Sequence, residues 1–275
     1  MYARRGAGLG FVLILLILVA AVVGMQLGWL VFMGNGDPGT PPKIQLRQYE
    51  EFVHVSRIRI AGDEYGLWDV RDNRTNILYF MLLVKPGDGT RIRDPDLQSR
   101  AFSLRLALQT AHVVKSINDG AKTAEDTTAR IANLGTLAIS VAEISGQRSI
   151  ARDLRRFGTL IGEKTETALA LAASVQGSAE YAEHLIKDPS EQNADLFMTS
   201  LGVSAMLTLS QRAALVYLLI SNALQAMAIS PGPWLEMLYN QLTQGTNPTI
   251  GLLGGTFGAY ETSNTTKALA ARGVY

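Results

Sequence analysis

The spacing of apolar and polar residues changes along this chain, and each change predicts a different kind of structure. Residues 10–33 are apolar almost without interruption, and Gln26 is the single polar side chain in the run. A helix of about 20 apolar residues crosses the hydrocarbon core of a bilayer, which is roughly 30 Å thick. The run predicts an N-terminal transmembrane helix, so residues 1–33 are assigned to a cytoplasmic stub and a membrane anchor.

The pattern then breaks in a segment rich in glycine and proline. Residues 34–43 read GNGDPGTPPK. Proline lacks the amide hydrogen that a helix needs, and glycine adds no side chain to a core. We predict a tether over residues 34–51 between the anchor and the first folded element.

Residues 52–90 alternate apolar and polar side chains with a period of two. Turn-forming residues interrupt the alternation at 61–63 and again at 72–74. Alternation of this kind, broken by such residues, is typical of strands joined by hairpins. The segment predicts a small antiparallel meander of three strands.

The period becomes helical after Asp94 and Pro95, which form a suitable N-cap and first-turn pair. Apolar residues recur at helical spacing until Asp119 and Gly120, a helix-stop signal. Residues at intervals of seven continue the helical pattern later in the chain: Leu154, Ile161, Ala168, Val175 and Ala182. Residues 94–244 therefore predict an antiparallel helical bundle.

Two later segments are less clearly patterned. Residues 196–229 are apolar almost all round, which fits a buried central helix or a segment inserted in the membrane. Residues 245–275 are rich in glycine, threonine and asparagine and predict a flexible tail. The fold class predicted for the whole chain is α+β, mostly α.

The start of the apolar run permits a second interpretation. Residues 10–16, GFVLILL, resemble the start of a type IV prepilin, in which a short basic leader ends in glycine before phenylalanine and an apolar helix. The resemblance implies a pilin-like subunit. The chain departs from that pattern at Leu15, where the family has glutamate, and in the prolines that end the helix early. The length of the run and the lack of a small-residue cleavage site favour an uncut anchor.

The residues that flank the run predict its orientation. Arg4 and Arg5 precede it, Asp37 follows it, and Trp29 lies near its far end, where interfacial aromatic residues are common. Positive charge favours the cytoplasmic side. We expect a single-pass protein of the inner (plasma) membrane, with the N-terminus in the cytoplasm and most of the chain outside.

Composition and charge argue against several classes of function. The chain has a formal net charge of +1 and no cysteine. A near-neutral chain lacks the basic field typical of nucleic-acid binding, and thiolate metal sites and thiol nucleophiles are excluded. The three histidines, His54, His112 and His184, are widely spaced and match no metal or catalytic motif. We therefore predict no catalytic site, metal or cofactor, and no nucleic acid as partner.

The strongest local charge feature is a group of arginines at spacings of three and four: Arg148, Arg152, Arg155 and Arg156. On a helix this spacing creates one basic face, suited to lipid phosphates, an acidic partner or solvent. The sequence predicts a non-catalytic structural or interaction component of a cell-envelope assembly for secretion, conjugation or a surface structure. Its expected partners are the bilayer, through residues 10–33, and other envelope proteins or copies of itself. A membrane-anchored ligand-sensing domain outside the cytoplasm is the alternative from another class.

Overall fold

A computed structural model of the chain describes residues 39–75, 78–144, 148–163, 165–203, 240–241, 244 and 249–274. The predicted anchor over residues 10–33 lies outside the described residues. So does most of the segment 196–229, for which the sequence left buried core and membrane insertion open. The described part is mostly helical with a small antiparallel sheet, which confirms the predicted α+β, mostly α class.

The sheet has three strands in the order β1-β2-β3: β1 (Glu50–Ile60), β2 (Asp63–Asp72) and β3 (Leu78–Val84). Both pairings are antiparallel, as the alternating pattern predicted. Ala61 and Gly62 connect the first two strands with positive φ angles of 53° and 90°. Two such residues allow the tight turn that matches the twist of a hairpin.

The helices follow the sheet in the chain. They are α1 (Pro95–Gly120), α2 (Ala124–Ile144), α3 (Arg148–Glu163), α4 (Thr165–Gly177), α5 (Ala179–Lys187), α6 (Glu191–Val203), α7 (Ile250–Leu253), a π-helical turn (Gly254–Gly258) and α8 (Ala259–Ala270). The stretch with residues at intervals of seven is thus divided among α3, α4 and α5.

Helix α1 is the central element of the described fold. It begins at the predicted cap, where the Asp94 side chain accepts hydrogen bonds from the amides of Asp96 and Leu97, and it ends at Gly120. Every residue from 101 to 111 is buried, so this part of the helix is covered on all sides. It packs against the sheet, against α5 and α6, and against the C-terminal helices.

Part of the predicted tether, residues 34–51, is held in the folded structure. The amides of Thr40 and Lys43 donate to the carbonyls of Pro86 and Gly89, at distances of 3.2 Å each. Pro42 is buried. Residues 40–44 are therefore part of the folded structure, because this proline-rich segment fits the loop that connects β3 to α1.

The C-terminal segment also differs from the prediction. Residues 250–270 form α7, the π-helical turn and α8, whereas the composition of residues 245–275 predicts a flexible tail. The Thr265 hydroxyl donates to the Met81 carbonyl at 2.8 Å, so α8 covers the outer edge of β3. Leu269 joins the apolar core on one face of the sheet, with Trp68 and Phe80 among its members.

Glycine explains why the prediction failed there. A Cβ atom on Gly258 would lie 2.0 Å from the Ser99 carbonyl oxygen, so only glycine allows the π-helical turn to approach α1 this closely. The Ser99 hydroxyl donates to the Gly254 carbonyl at 2.8 Å. Small residues spaced by four permit such close helix packing, and the same composition also suits a flexible segment.

Candidate functional site: an exposed arginine face and a buried charge cluster

The four arginines singled out in the sequence lie on α3, and all four are exposed. We call Arg148, Arg152, Arg155 and Arg156 the arginine face. Leu154, on the opposite side of the helix, is completely buried. The four arginines therefore lie on the exposed side of one helix.

Few acidic side chains balance the arginine face. Arg155 forms an ion pair with Glu143 of α2. Arg152 Nε lies 3.5 Å from Asp153 Oδ1. Among the described residues, the other two arginines of the face form no ion pair. Both observed pairs are largely exposed, and such pairs contribute little to stability.

The helix dipole adds a cost at the start of α3. Arg148 is the first residue of the helix, and no acidic residue lies in the first turn. The N-terminal end of a helix carries partial positive charge, so it favours acidic side chains and disfavours basic ones. The arrangement of charges at this end of α3 is thus unfavourable for the isolated helix.

The arginine face belongs to a hairpin formed by α2 and α3. These two helices pack on each other and on α4, and neither makes extensive contact with the strands. Arg130 of α2 donates to the Gly120 carbonyl at 2.9 Å, and Asn118 of α1 donates to the Val175 carbonyl of α4 at 2.9 Å. These contacts attach the α2–α3 hairpin near the C-terminal end of α1.

A second charged site lies inside the protein, between the sheet, α1 and α8. We call Asp69, Arg71, Arg105 and Glu261 the buried charge cluster. Arg105 Nη2 donates to Asp69 Oδ2 at 3.0 Å, and Arg71 Nε donates to the same oxygen at 2.9 Å. All four residues are buried, and Glu261 has no exposed surface.

Glu261 differs from Asp69 in its hydrogen bonding. Neither carboxylate oxygen of Glu261 has a partner within hydrogen-bonding distance. Arg105 nevertheless lies close enough for its charge to interact with that of Glu261. Burial raises the pKa of Glu261 to about 7, against the opposing effects of Arg105 and of the Asn264 side chain. A carboxyl group with this pKa changes its charge near neutral pH.

Local sequence patterns do not point to the buried charge cluster. Asp72 lies at the end of β2, at the second turn that interrupts the alternating pattern. Asp72 does organise that turn: it accepts hydrogen bonds from the Arg74 and Thr75 amides and from the Tyr79 hydroxyl. Asp69 instead is buried, and it accepts hydrogen bonds from Arg71 in the same strand and from Arg105, which is 36 residues away in the chain.

The histidines lie on three different elements. His54 is in β1, where its ring contacts Trp68 edge to face at 5.1 Å between centroids. His112 is in α1, and burial, followed by the charge of Lys115, lowers its pKa. His184 lies exposed near the end of α5. Within the described residues, no group of three or more histidine, aspartate or glutamate side chains is arranged to hold a metal ion.

The membrane-interface residues predicted from the sequence, Arg4, Arg5 and Trp29, lie outside the described residues. In the described part of the chain, no helix combines the length and apolar character needed to cross a membrane. Comparison of the chain with protein-family models, curated proteins and solved structures gave no match.

Proposed function

We propose that this protein is a membrane-anchored, non-catalytic interaction component of a cell-envelope assembly. In this proposal residues 10–33 form a transmembrane helix in the inner (plasma) membrane, and the N-terminus is cytoplasmic. The rest of the chain, a small sheet with an antiparallel helical bundle, lies outside the cytoplasm. It contacts other envelope proteins or copies of itself.

The observation that supports this proposal is the arginine face on the α2–α3 hairpin. The hairpin packs mainly on itself and α4, so its outer surface is available to another molecule. Four exposed cations, with two carboxylates within ion-pair distance among the described residues, form a surface that a complementary partner would stabilise. A surface built only for solubility would carry both signs of charge in closer balance.

Site-specific photocrosslinking in living cells tests the proposal. A photoreactive amino acid replaces Ser149 or Thr159, which are exposed residues of α3. Ser116 in α1 and Thr199 in α6, also exposed, provide control positions. The full chain is then recovered from membranes in mild detergent through a C-terminal tag, and crosslinked products are identified by mass spectrometry.

We expect a reproducible set of envelope proteins, or a second copy of this chain, crosslinked from the α3 positions and absent from the controls. If neither α3 position gives a crosslink and the chain is recovered as a monomer, the proposal is contradicted. Recovery of the full chain in the soluble fraction would contradict the membrane anchor separately.

A further inference from the structure

We propose that the end of the chain, residues 259–274, is a strap over the outer edge of β3, and that a proton on the Glu261 carboxyl group controls its opening. The strap comprises α8 and the residues that follow it. It stays closed while Glu261 holds the proton and opens more often once the proton is lost. This inference does not depend on the proposed function, because every group that it uses lies in the sheet, α1 or the C-terminal helices.

Side chains of α8 take the place of a neighbouring strand at the outer edge of β3. The Asn264 side-chain amide donates to the Tyr79 carbonyl at 3.3 Å, and the Thr265 hydroxyl donates to the Met81 carbonyl at 2.8 Å. Backbone carbonyls at the edge of a sheet need hydrogen-bond partners, and side chains supply them only while their helix stays in place. Opening of the strap would therefore expose both carbonyls to water.

Glu261 is the acidic side chain that α8 places in the interior. It has no exposed surface. Among the described residues, neither of its carboxylate oxygens has a partner within hydrogen-bonding distance. A buried carboxylate without hydrogen bonds is very unfavourable when ionised and much less so when protonated. Loss of the proton thus creates a charge that water stabilises better than the interior does, and water reaches that charge when the strap opens.

The charged groups that face Glu261 come from α1 and β2. Arg105 of α1 attracts its carboxylate and Asp69 of β2 repels it. Arg105 and Arg71 both donate to Asp69 Oδ2, at 3.0 and 2.9 Å, so their hydrogen bonds serve the other carboxylate. The strand β3 and the π-helical turn contain no charged or histidine residue, and Tyr260 is the titratable neighbour within α8. Burial therefore has the largest effect and raises the pKa of Glu261 to about 7 despite Arg105.

The π-helical turn, Gly254–Gly258, provides a point at which the strap can bend. It directly precedes α8 and contains three glycines, which adopt new backbone angles at low cost. A Cβ atom on Gly255 would meet nothing within 4 Å, so the turn is not enclosed there. The residues before the turn are held in place, because the Ile250 amide donates to the Asp195 side chain of α6 at 2.9 Å. Opening is therefore expected to move α8 and to leave α7 attached.

The far end of the strap is held by an ion pair that does not titrate near neutral pH. Arg272 pairs with Glu50 of β1, and the Arg47 guanidinium donates to the Ala271 carbonyl at 3.0 Å. Burial would raise the pKa of Glu50, but the hydrogen bonds from Arg272 and from the Arg47 amide hold it below its ordinary value. These contacts keep the closed state predominant at neutral pH, and the charge of Glu261 adjusts how often the strap opens.

Hydrogen exchange of the full chain in mild detergent, followed by mass spectrometry, measures the opening. Exchange is recorded at several values between pH 6 and pH 8 and corrected for the effect of pH on exposed amides. Peptides from α8 report on the strap. Peptides from residues 101–111 of α1, which are all buried, report on unfolding of the whole folded part.

We expect α8 to exchange at least about tenfold faster than the α1 segment at each pH, because the strap opens without global unfolding. The bound proton stabilises the closed state, and that stabilisation is lost as the pH rises through about 7. A pKa of about 7 in the closed state, against 4.5 in the open state, makes opening about tenfold more frequent at pH 8 than at pH 6.

Three variants separate the proton from the other contacts of the strap. In Glu261→Gln we expect opening to change by less than about twofold between pH 6 and pH 8. Glu180→Gln, at an exposed position of α5, should retain the full response of the wild type. Thr265→Val removes the hydrogen bond to β3 and keeps the titrating group, so α8 should exchange several-fold faster at every pH with the same dependence on pH.

Three results would overturn the inference. Equal corrected exchange rates in α8 and in the α1 segment would mean that the strap opens only when the whole folded part unfolds. A wild-type rate that does not change with pH, or a Glu261→Gln variant that keeps the full change, would mean that the proton on Glu261 does not control opening. The first two comparisons use the wild-type chain, so they are decisive even if a variant does not fold.

Discussion

Arg105 of α1 and Asp69 of β2 are joined by a hydrogen bond of 3.0 Å inside the protein, with side chains that are 2% and 1% exposed. Arg71 donates to the same Asp69 oxygen. One carboxylate therefore holds two guanidinium groups at the contact between the sheet and the central helix. Loss of the Asp69 charge alone would leave buried positive charge uncompensated at this contact, which is very unfavourable.

We predict that Asp69→Asn destabilises the protein by about 3–5 kcal/mol, since it leaves two buried guanidinium groups without their carboxylate. The free energy of unfolding in urea measures the effect. Glu64→Gln is the control, because Glu64 pairs with Arg57 on the surface, and we expect it to cost less than about 1 kcal/mol. Comparable losses in the two variants would show that the buried charge cluster does not hold the sheet to α1.

The second prediction concerns pH and Glu261. Its pKa is raised from 4.5 to about 7 in the folded protein, first of all by burial. The folded state therefore binds a proton more strongly than the unfolded state does. The stabilisation that protonated Glu261 contributes to the free energy of unfolding is fully present below about pH 4.5. It is lost as the pH rises from there through about 7 and does not change further at higher pH.

The variant Glu261→Gln removes this titration while nearly preserving the shape of the side chain. We expect the unfolding free energy of the wild type, relative to the variant, to fall by about 3 kcal/mol between pH 4.5 and pH 8. The difference between the two proteins is the useful quantity, because all other titrating groups are common to both. A difference that does not change with pH would mean that Glu261 keeps its ordinary pKa.

The third prediction concerns the packing of the C-terminal segment against α1 at Gly258. We predict that Gly258→Ala destabilises the protein by about 1–3 kcal/mol, since the new methyl group would lie 2.0 Å from the Ser99 carbonyl oxygen. Gly255→Ala is a matched control in the same turn, where a Cβ meets nothing within 4 Å. That change should be neutral or slightly stabilising, because alanine favours helix over glycine. Thermal unfolding compares the two variants, and a reversed order would contradict the packing.

Arg272 lies at the end of the same segment and pairs with Glu50 of β1, with side chains that are 8% and 6% exposed. Burial alone would raise the pKa of Glu50, but the hydrogen bonds from Arg272 and from the Arg47 amide outweigh it, so the pKa lies below its ordinary value. The stabilisation from this pair is therefore present above the unfolded pKa of Glu50 and is lost as the pH falls.

We predict that Arg272→Ala destabilises the protein by about 3–5 kcal/mol at neutral pH, and that the difference from the wild type shrinks in acid. Lys267→Ala, an exposed position on α8, should change stability by less than about 0.5 kcal/mol. Urea unfolding at several pH values measures both variants. An Arg272→Ala protein as stable as the control at neutral pH would indicate a C-terminal segment that contributes little to the fold.

Local sequence patterns determined much of the described secondary structure. Alternation with a period of two predicted the three antiparallel strands, and Asp94 and Pro95 predicted the start of α1. The spacing of the arginines on α3 predicted that they share one face. Each of these features depends on residues close together in the chain, because strand alternation, helix caps and helix faces are set by neighbouring residues.

Tertiary structure alone decided the buried charge cluster and the position of the C-terminal segment. Asp69 and Arg105 are 36 residues apart, and no local pattern relates them to each other or to Glu261. Gly254 and Gly258 are equally compatible with a flexible tail and with close helix packing. Their packing against Ser99 of α1 is a tertiary contact that the local sequence does not reveal. Contacts between distant segments depend on which surfaces meet when the chain packs, and the periodicity of a single segment does not contain that information.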